Sequence, residues 1–139
     1  MSIRQSAVRS TYEGGTRVKY MLLIYLAENA LTEDERQHCY LESTELAHDL
    51  NAKGQFLATA PLQPVATATS VRVRAGKRLV TDGPFAETRE CLGGYYLVNA
   101  GNLDEAIDIA GRIPGARVGT VEIRPVLEIP NLPPAGDGA

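Results

Sequence analysis

Apolar side chains recur in this chain with two periods, and the switch between them marks the elements. Across Val18–Ala27, VKYMLLIYLA, both alternate sets after Lys19 are apolar: Tyr20, Leu22 and Ile24 on one, Met21, Leu23 and Tyr25 on the other. Successive strand residues point to opposite faces, so this segment reads as a strand covered on both sides. The polar run Thr32-Glu33-Asp34-Glu35 then supplies a capping box, the Thr32 hydroxyl taking the third backbone N–H while Glu35 reaches back. It predicts a helix to about Lys53, ended by Gly54 in a left-handed turn, with Cys39, Ser43, Leu46, Ala47 and Leu50 on one side. Gln55–Thr59 reads as a short strand, and Ala60-Pro61 with Pro64 as a loop. VRVRAGKRLV predicts a hairpin, strands Thr69–Arg74 and Lys77–Thr81 about Ala75-Gly76. Gly93–Ala100 is again a strand apolar on both faces, through Tyr95, Tyr96, Leu97 and Val98. Asn102 with Glu105 begins a second helix whose Leu103, Ala106, Ile107 and Ala110 follow the i, i+3, i+4, i+7 rule before Pro114. Gly119–Pro125 is the last strand, Val121 and Ile123 facing one way and Thr120, Glu122 and Arg124 the other.

The order β-α-β, hairpin, β-α-β predicts an α+β protein of ferredoxin-like (split β-α-β) architecture with an inserted hairpin. Two helices cover one face of such a sheet, yet strands 18–27 and 93–100 are apolar on both. A homodimer packed sheet against sheet would cover the second face. The chain divides into an N-terminal extension (1–17), a domain (18–127) and a Pro/Gly-rich C-terminal tail (128–139). The extension, MSIRQSAVRSTYEGGTR, has no apolar central region and does not read as a signal peptide.

Composition narrows the partners. At 139 residues the length suits one domain, and a net charge of −3 gives no general attraction to nucleic acid. The densest basic group, Arg72, Arg74, Lys77 and Arg78, has no aromatic residues interleaved for base stacking and reads as a solvated strand face, so no direct nucleic-acid partner is expected. No apolar run approaches the ~18 residues of a membrane helix, so no membrane partner is expected either. Cys39 and Cys91, without a C-x-x-C, fit reduced thiols and a cytoplasmic protein. The P-loop, dinucleotide, H-E-x-x-H and G-x-S-x-G signatures are absent, and His38 with Glu42 reads as a solvated helix face, so neither an organic cofactor nor a metal is expected.

Chemistry concentrates in residues 81–98, TDGPFAETRECLGGYYLV. Asp82 opens a turn in which Gly83 takes positive φ and Pro84 fixes the chain, so its carboxylate has a local reading, bonding nearby backbone N–H groups. The functional reading adds Glu87 and Arg89: two carboxylates and a guanidinium near one strand end hold a proton, bind an anion, or split their pKa values into an acid and a base. Glu122 and Arg124 would join from the same sheet, or form an edge ion pair instead. Histidine is the side-chain type suited to general-base work near neutral pH, but His48 lies about 200° around the helix from Leu46 at ~100° per residue, which turns it outward. The catalytic candidates are therefore Asp82, Glu87 and His48, and the ligand-binding candidates Arg89, Tyr96, Glu122 and Arg124.

With KYMLLIY at 19–25 and GTVEIRPV at 119–126, the 81–98 segment resembles the DGPF branch of the YCII-related family, the match running over about residues 18–127. The Asp82-Gly83-Pro84-Phe85 tetrapeptide with Glu87 carries it. The resemblance implies a ferredoxin-like fold forming a dimeric α/β barrel, in most members without established activity. The wider group includes a dehydrochlorinase-like member for which a first-helix His paired with an Asp is proposed. Asp82 matches that Asp, while the place of the His falls near Thr44, with His48 one turn later. The family is also linked to extracytoplasmic-function sigma factors. Two functions are implied: a small-molecule-binding, acid–base enzyme such as a cofactor-independent lyase, and a non-catalytic regulatory protein.

Overall fold

The computed structural model describes residues 17–134. The rest of the expected N-terminal extension, 1–16, and the end of the tail, 135–139, lie outside the described residues.

Strand β1 (Val18–Leu26) leads into helix α1 (Glu33–Ala52) through the expected capping box: the Glu35 N–H donates to Thr32 Oγ1 at 3.2 Å and the Thr32 N–H to Glu35 Oε1 at 2.9 Å. Gly54, at φ 71°, turns the chain out of the helix. Strand β2 (Phe56–Pro61) follows, then the hairpin β3 (Thr69–Arg74) and β4 (Lys77–Asp82), then β5 (Cys91–Ala100), α2 (Leu103–Gly111) and β6 (Thr120–Pro125). Two short 3-10 turns, Val65–Thr67 and Pro114–Arg117, were not anticipated.

The main sheet is antiparallel with strand order β2-β5-β1-β6, an α+β arrangement compatible with the ferredoxin-like expectation. One face is the core, where Tyr20, Leu22, Tyr96, Val98 and Ala100 meet Leu46 and Leu50 of α1 and Ala106, Ile109 and Ala110 of α2. Helix α2 departs from the expected face: Ile109 is buried while Leu103 is 39% exposed and Ile107 only half-buried. The stripe is set by continuation into buried Ile113 and Pro114, which pulls its centre toward the helix C-terminus.

Among the described residues, no helix covers the opposite face. Pairing of Met21 with Leu97 and Arg124, and of Leu23 with Tyr95 and Glu122, puts a half-buried apolar centre there with charged Glu122 and Arg124 along β6. The hairpin forms its own two-stranded sheet. Its turn places Ala75 (φ 50°) and Gly76 (φ 75°) in the left-handed region that the right-handed twist of two-residue hairpins requires. Its base is pinned where the Gly83 N–H donates to the Ala68 carbonyl at 2.7 Å and Ser70 Oγ to the Gly83 carbonyl at 2.8 Å.

Candidate functional site

A recess lies on the covered side of the sheet, beneath α1. Its volume is about 860 Å³, within the range that encloses drug-sized ligands. On α1 it is bordered by the small side chains Cys39, Ser43 and Ala47, whereas Leu46 and Leu50, toward the C-terminal half, enter the core. Ile24 and Leu26 of β1, Thr59–Pro61 of β2, Gly93, Gly94 and Tyr96 of β5, and Ile113–Gly115 complete the walls. Glycines keep the floor low. A Cβ on Gly94 would stand 3.0 Å from the Ala60 carbonyl oxygen, and one on Gly115 2.6 Å from Ile24 Cγ2.

Most of the lining is apolar, and the hydroxyl groups of Tyr96, Thr59 and Thr44 donate to protein carbonyls. Tyr96, 1% exposed, donates through Oη to the Ser43 carbonyl at 2.7 Å; Thr59 Oγ1 donates to the Tyr95 carbonyl at 2.8 Å and Thr44 Oγ1 to that of Tyr40 at 2.8 Å. Burial pushes the Tyr96 phenol above its ordinary pKa, against the opposing hydrogen bonds with Ser43 and Thr59, so it stays a neutral donor. These oxygens keep lone pairs for a ligand donor. Arg36 supplies the cation of the lining: its Nε is 3.8 Å from Glu33 and one terminal nitrogen 3.4 Å from the Glu28 carbonyl, both long for a guanidinium. Glu28 holds the segment after β2 by accepting the Val65 N–H at 2.9 Å. Both free thiols, Cys39 and Cys91, line the same space.

Of the candidates named from sequence, Tyr96 lines this cavity. Asp82 closes the β3–β4 ladder opposite Thr69, with Gly83 at φ 103° behind it, and Asp82, Glu87 and Arg89 are all exposed on the hairpin and the segment that returns from it. His48 is exposed on α1, turned outward as its position on the helix wheel indicated, and the cavity lining does not include it. Glu122 and Arg124 lie on the open sheet face, opposite the face that carries Tyr96. The structure therefore distributes the candidates over a cavity, a loop and an uncovered face. Thr44, where the resemblance puts a histidine, does line the cavity. The signal for the cavity was present in the helix wheel as the small side chains Cys39, Ser43 and Ala47 on a face otherwise reserved for leucine. Among the described residues, no group of three or more His, Cys, Asp or Glu side chains is arranged to hold a metal ion, and no helix is long and apolar enough to cross a membrane.

An antiparallel α+β sheet with both helices on one side and a recess under the first defines the structural class. The sequence matches the YCII-related domain over residues 18–130, and the chain belongs to that family. It is similar to an uncharacterized protein of Rhizobium meliloti (strain 1021), 34% identical over 112 residues that make up 77% of this chain and 90% of that protein.

Proposed function

We propose that the chain binds a small, largely apolar molecule in the cavity beneath α1 and does so as a homodimer joined through its open sheet faces. The cavity carries this reading: a recess of about 860 Å³ with a mostly apolar lining has the size that encloses a small ligand. The dimer is supported by Met21, Leu23, Tyr95 and Leu97, whose side of the sheet no helix covers. The Asp82-Gly83-Pro84-Phe85 sequence supports membership of the DGPF branch.

One observation favours catalysis by the Asp82 segment. The hydrogen bond from Gly83 to Ala68 ties it to the end of the stretch whose Leu62, Gln63 and Pro64 line the cavity, and this reading assigns Asp82 and Glu87 as the acid–base groups of a cofactor-independent lyase. The test is a small-molecule screen by thermal shift, repeated on Ala47→Leu and Asp82→Asn. Ala47→Leu adds three carbons to the wall of the recess and is expected to weaken binding of hits seated against α1, while changing stability by no more than about 1 kcal/mol. Hits that bind it as well as the wild type would place the ligand elsewhere. Conversion of a hit that stops in Asp82→Asn, with binding retained, supports the lyase; binding without conversion in the wild type favours the regulatory function.

A further inference from the structure

The β3–β4 hairpin is built as though something lay against it. Val71 pairs with Val80 and Val73 with Arg78, so Val71, Val73, Val80 and Arg78 share one face; Arg72, Arg74, Lys77 and Leu79 share the other. On the first face the valines are 58%, 62% and 57% exposed. Every side chain from Val71 to Asp82 is exposed, and the strands pair only with each other. A two-stranded hairpin alone in water is marginal, because it buries too little apolar surface to offset the ordering of its backbone. A valine face left to solvent at the tip of the fold is therefore the wrong pattern for a free loop.

We infer that this hairpin is an arm whose valine face packs against a second copy of the chain. Charge supports that occupant. The arm carries Arg72, Arg74, Lys77 and Arg78 against the single carboxylate Asp82, in a chain of net charge −3, so the remainder of each copy is acidic and attracts the arm of the other. Exposed Glu33, Asp34 and Glu35 in the first turn of α1 are part of that acidic surface. Nucleic acid is the weaker fit: the basic face presents no ring for stacking, and binding through it would leave the valines uncovered. A two-fold dimer brings each arm to the partner with no further component. The arm rests on the homodimer reading but makes a separate demand, that residues 69–82 are covered only in the dimer.

The experiment measures amide hydrogen exchange and sedimentation of the full chain at high and low concentration, for the wild type and a Val71→Ser, Val73→Ser, Val80→Ser variant. In the wild type, amides of residues 69–82 should exchange slowly when the chain is dimeric and rapidly on dilution. The variant should show rapid exchange there at both concentrations and a dimer dissociation constant raised by at least about tenfold. A wild-type dimer whose 69–82 amides exchange equally fast at both concentrations overturns the arm while leaving the sheet-face dimer standing. A wild-type chain that sediments as a monomer overturns both. Slowing of those amides by duplex DNA, in a chain whose exchange does not depend on concentration, assigns the hairpin to nucleic acid and also overturns the arm. The wild-type measurements decide the matter even where the triple variant is unstable.

Discussion

Two glycines at the ends of adjacent elements show how differently one residue type is constrained. At Gly119, just before β6, an added methyl group would run into the Tyr25 carbonyl oxygen and stand 2.8 Å from Leu26 Cβ, so β1 and the approach to β6 can lie this close only without a side chain. Neither obstacle is a flexible chain end, and relief requires the strands to part. Gly119→Ala is expected to lower unfolding free energy by about 3 kcal/mol, read from the urea midpoint. At Gly111, the last residue of α2, a methyl group meets nothing within 4 Å and φ is ordinary. Gly111→Ala should raise stability by about 0.5–1 kcal/mol through helix propensity. Glycine in the sequence marks both positions alike; which is packed and which is free depends on a strand far away in the chain.

Helix α1 is held at its ends and edges more than by its face, since only Leu46 and Leu50 are buried along its twenty residues. The capping box fixes the start, while Arg117 grips Glu42 with two hydrogen bonds of 2.8 Å and Arg112 meets Asp49 at 2.7 Å. Thr32→Ala should cost about 1 kcal/mol, as lost N-caps do, measured as a shift in the urea midpoint. The carboxyls of Glu35 and Glu42 are both held below their ordinary pKa, the first by the Thr32 backbone N–H and hydroxyl and the second by the Arg117 guanidinium. A depressed folded-state pKa contributes stability that is present above the unfolded carboxylate range and lost as pH falls through the folded value. The Thr32→Ala penalty should largely persist on acidification, because the lost hydroxyl accepts the Glu35 N–H while the backbone N–H that chiefly holds the Glu35 carboxylate is kept by alanine. Signals of this kind were legible from sequence because they are local: the capping box, the Gly54 stop, the Ala75-Gly76 turn and the alternation of β1 and β5 each involve neighbours in the chain. The face of α2 was not, because it depends on where Ile113 and Pro114 dock, and the small side chains Cys39, Ser43 and Ala47 signal a cavity only once the sheet residues opposite α1 are known. The scatter of Asp82, Tyr96 and Glu122 over separate surfaces was hidden for the same reason, since sequence proximity and strand membership do not say which side of a sheet a residue meets.

For the whole molecule, the uncovered side of the main sheet makes the sharpest demand on assembly. Leu23 sits at its centre, registered between Tyr95 and Glu122. Leu23→Glu would put a second carboxylate beside Glu122 and oblige a packed interface to bury it unpaired. The variant should sediment as a monomer, and its melting temperature should lose the concentration dependence expected of the wild type. The hairpin stands apart from this core in another sense. Its two strands leave and rejoin the body at Ala68 and Gly83, which are joined by one hydrogen bond, so the chain passes out and back through a single gate. Whatever lies beyond that gate is invisible to the sheet. The segment could be lengthened, shortened or exchanged for another hairpin without refitting a core residue, and closing a longer excursion adds little entropy cost. A change in the hairpin can thereby alter what it packs against while leaving the cavity and the strands around it undisturbed.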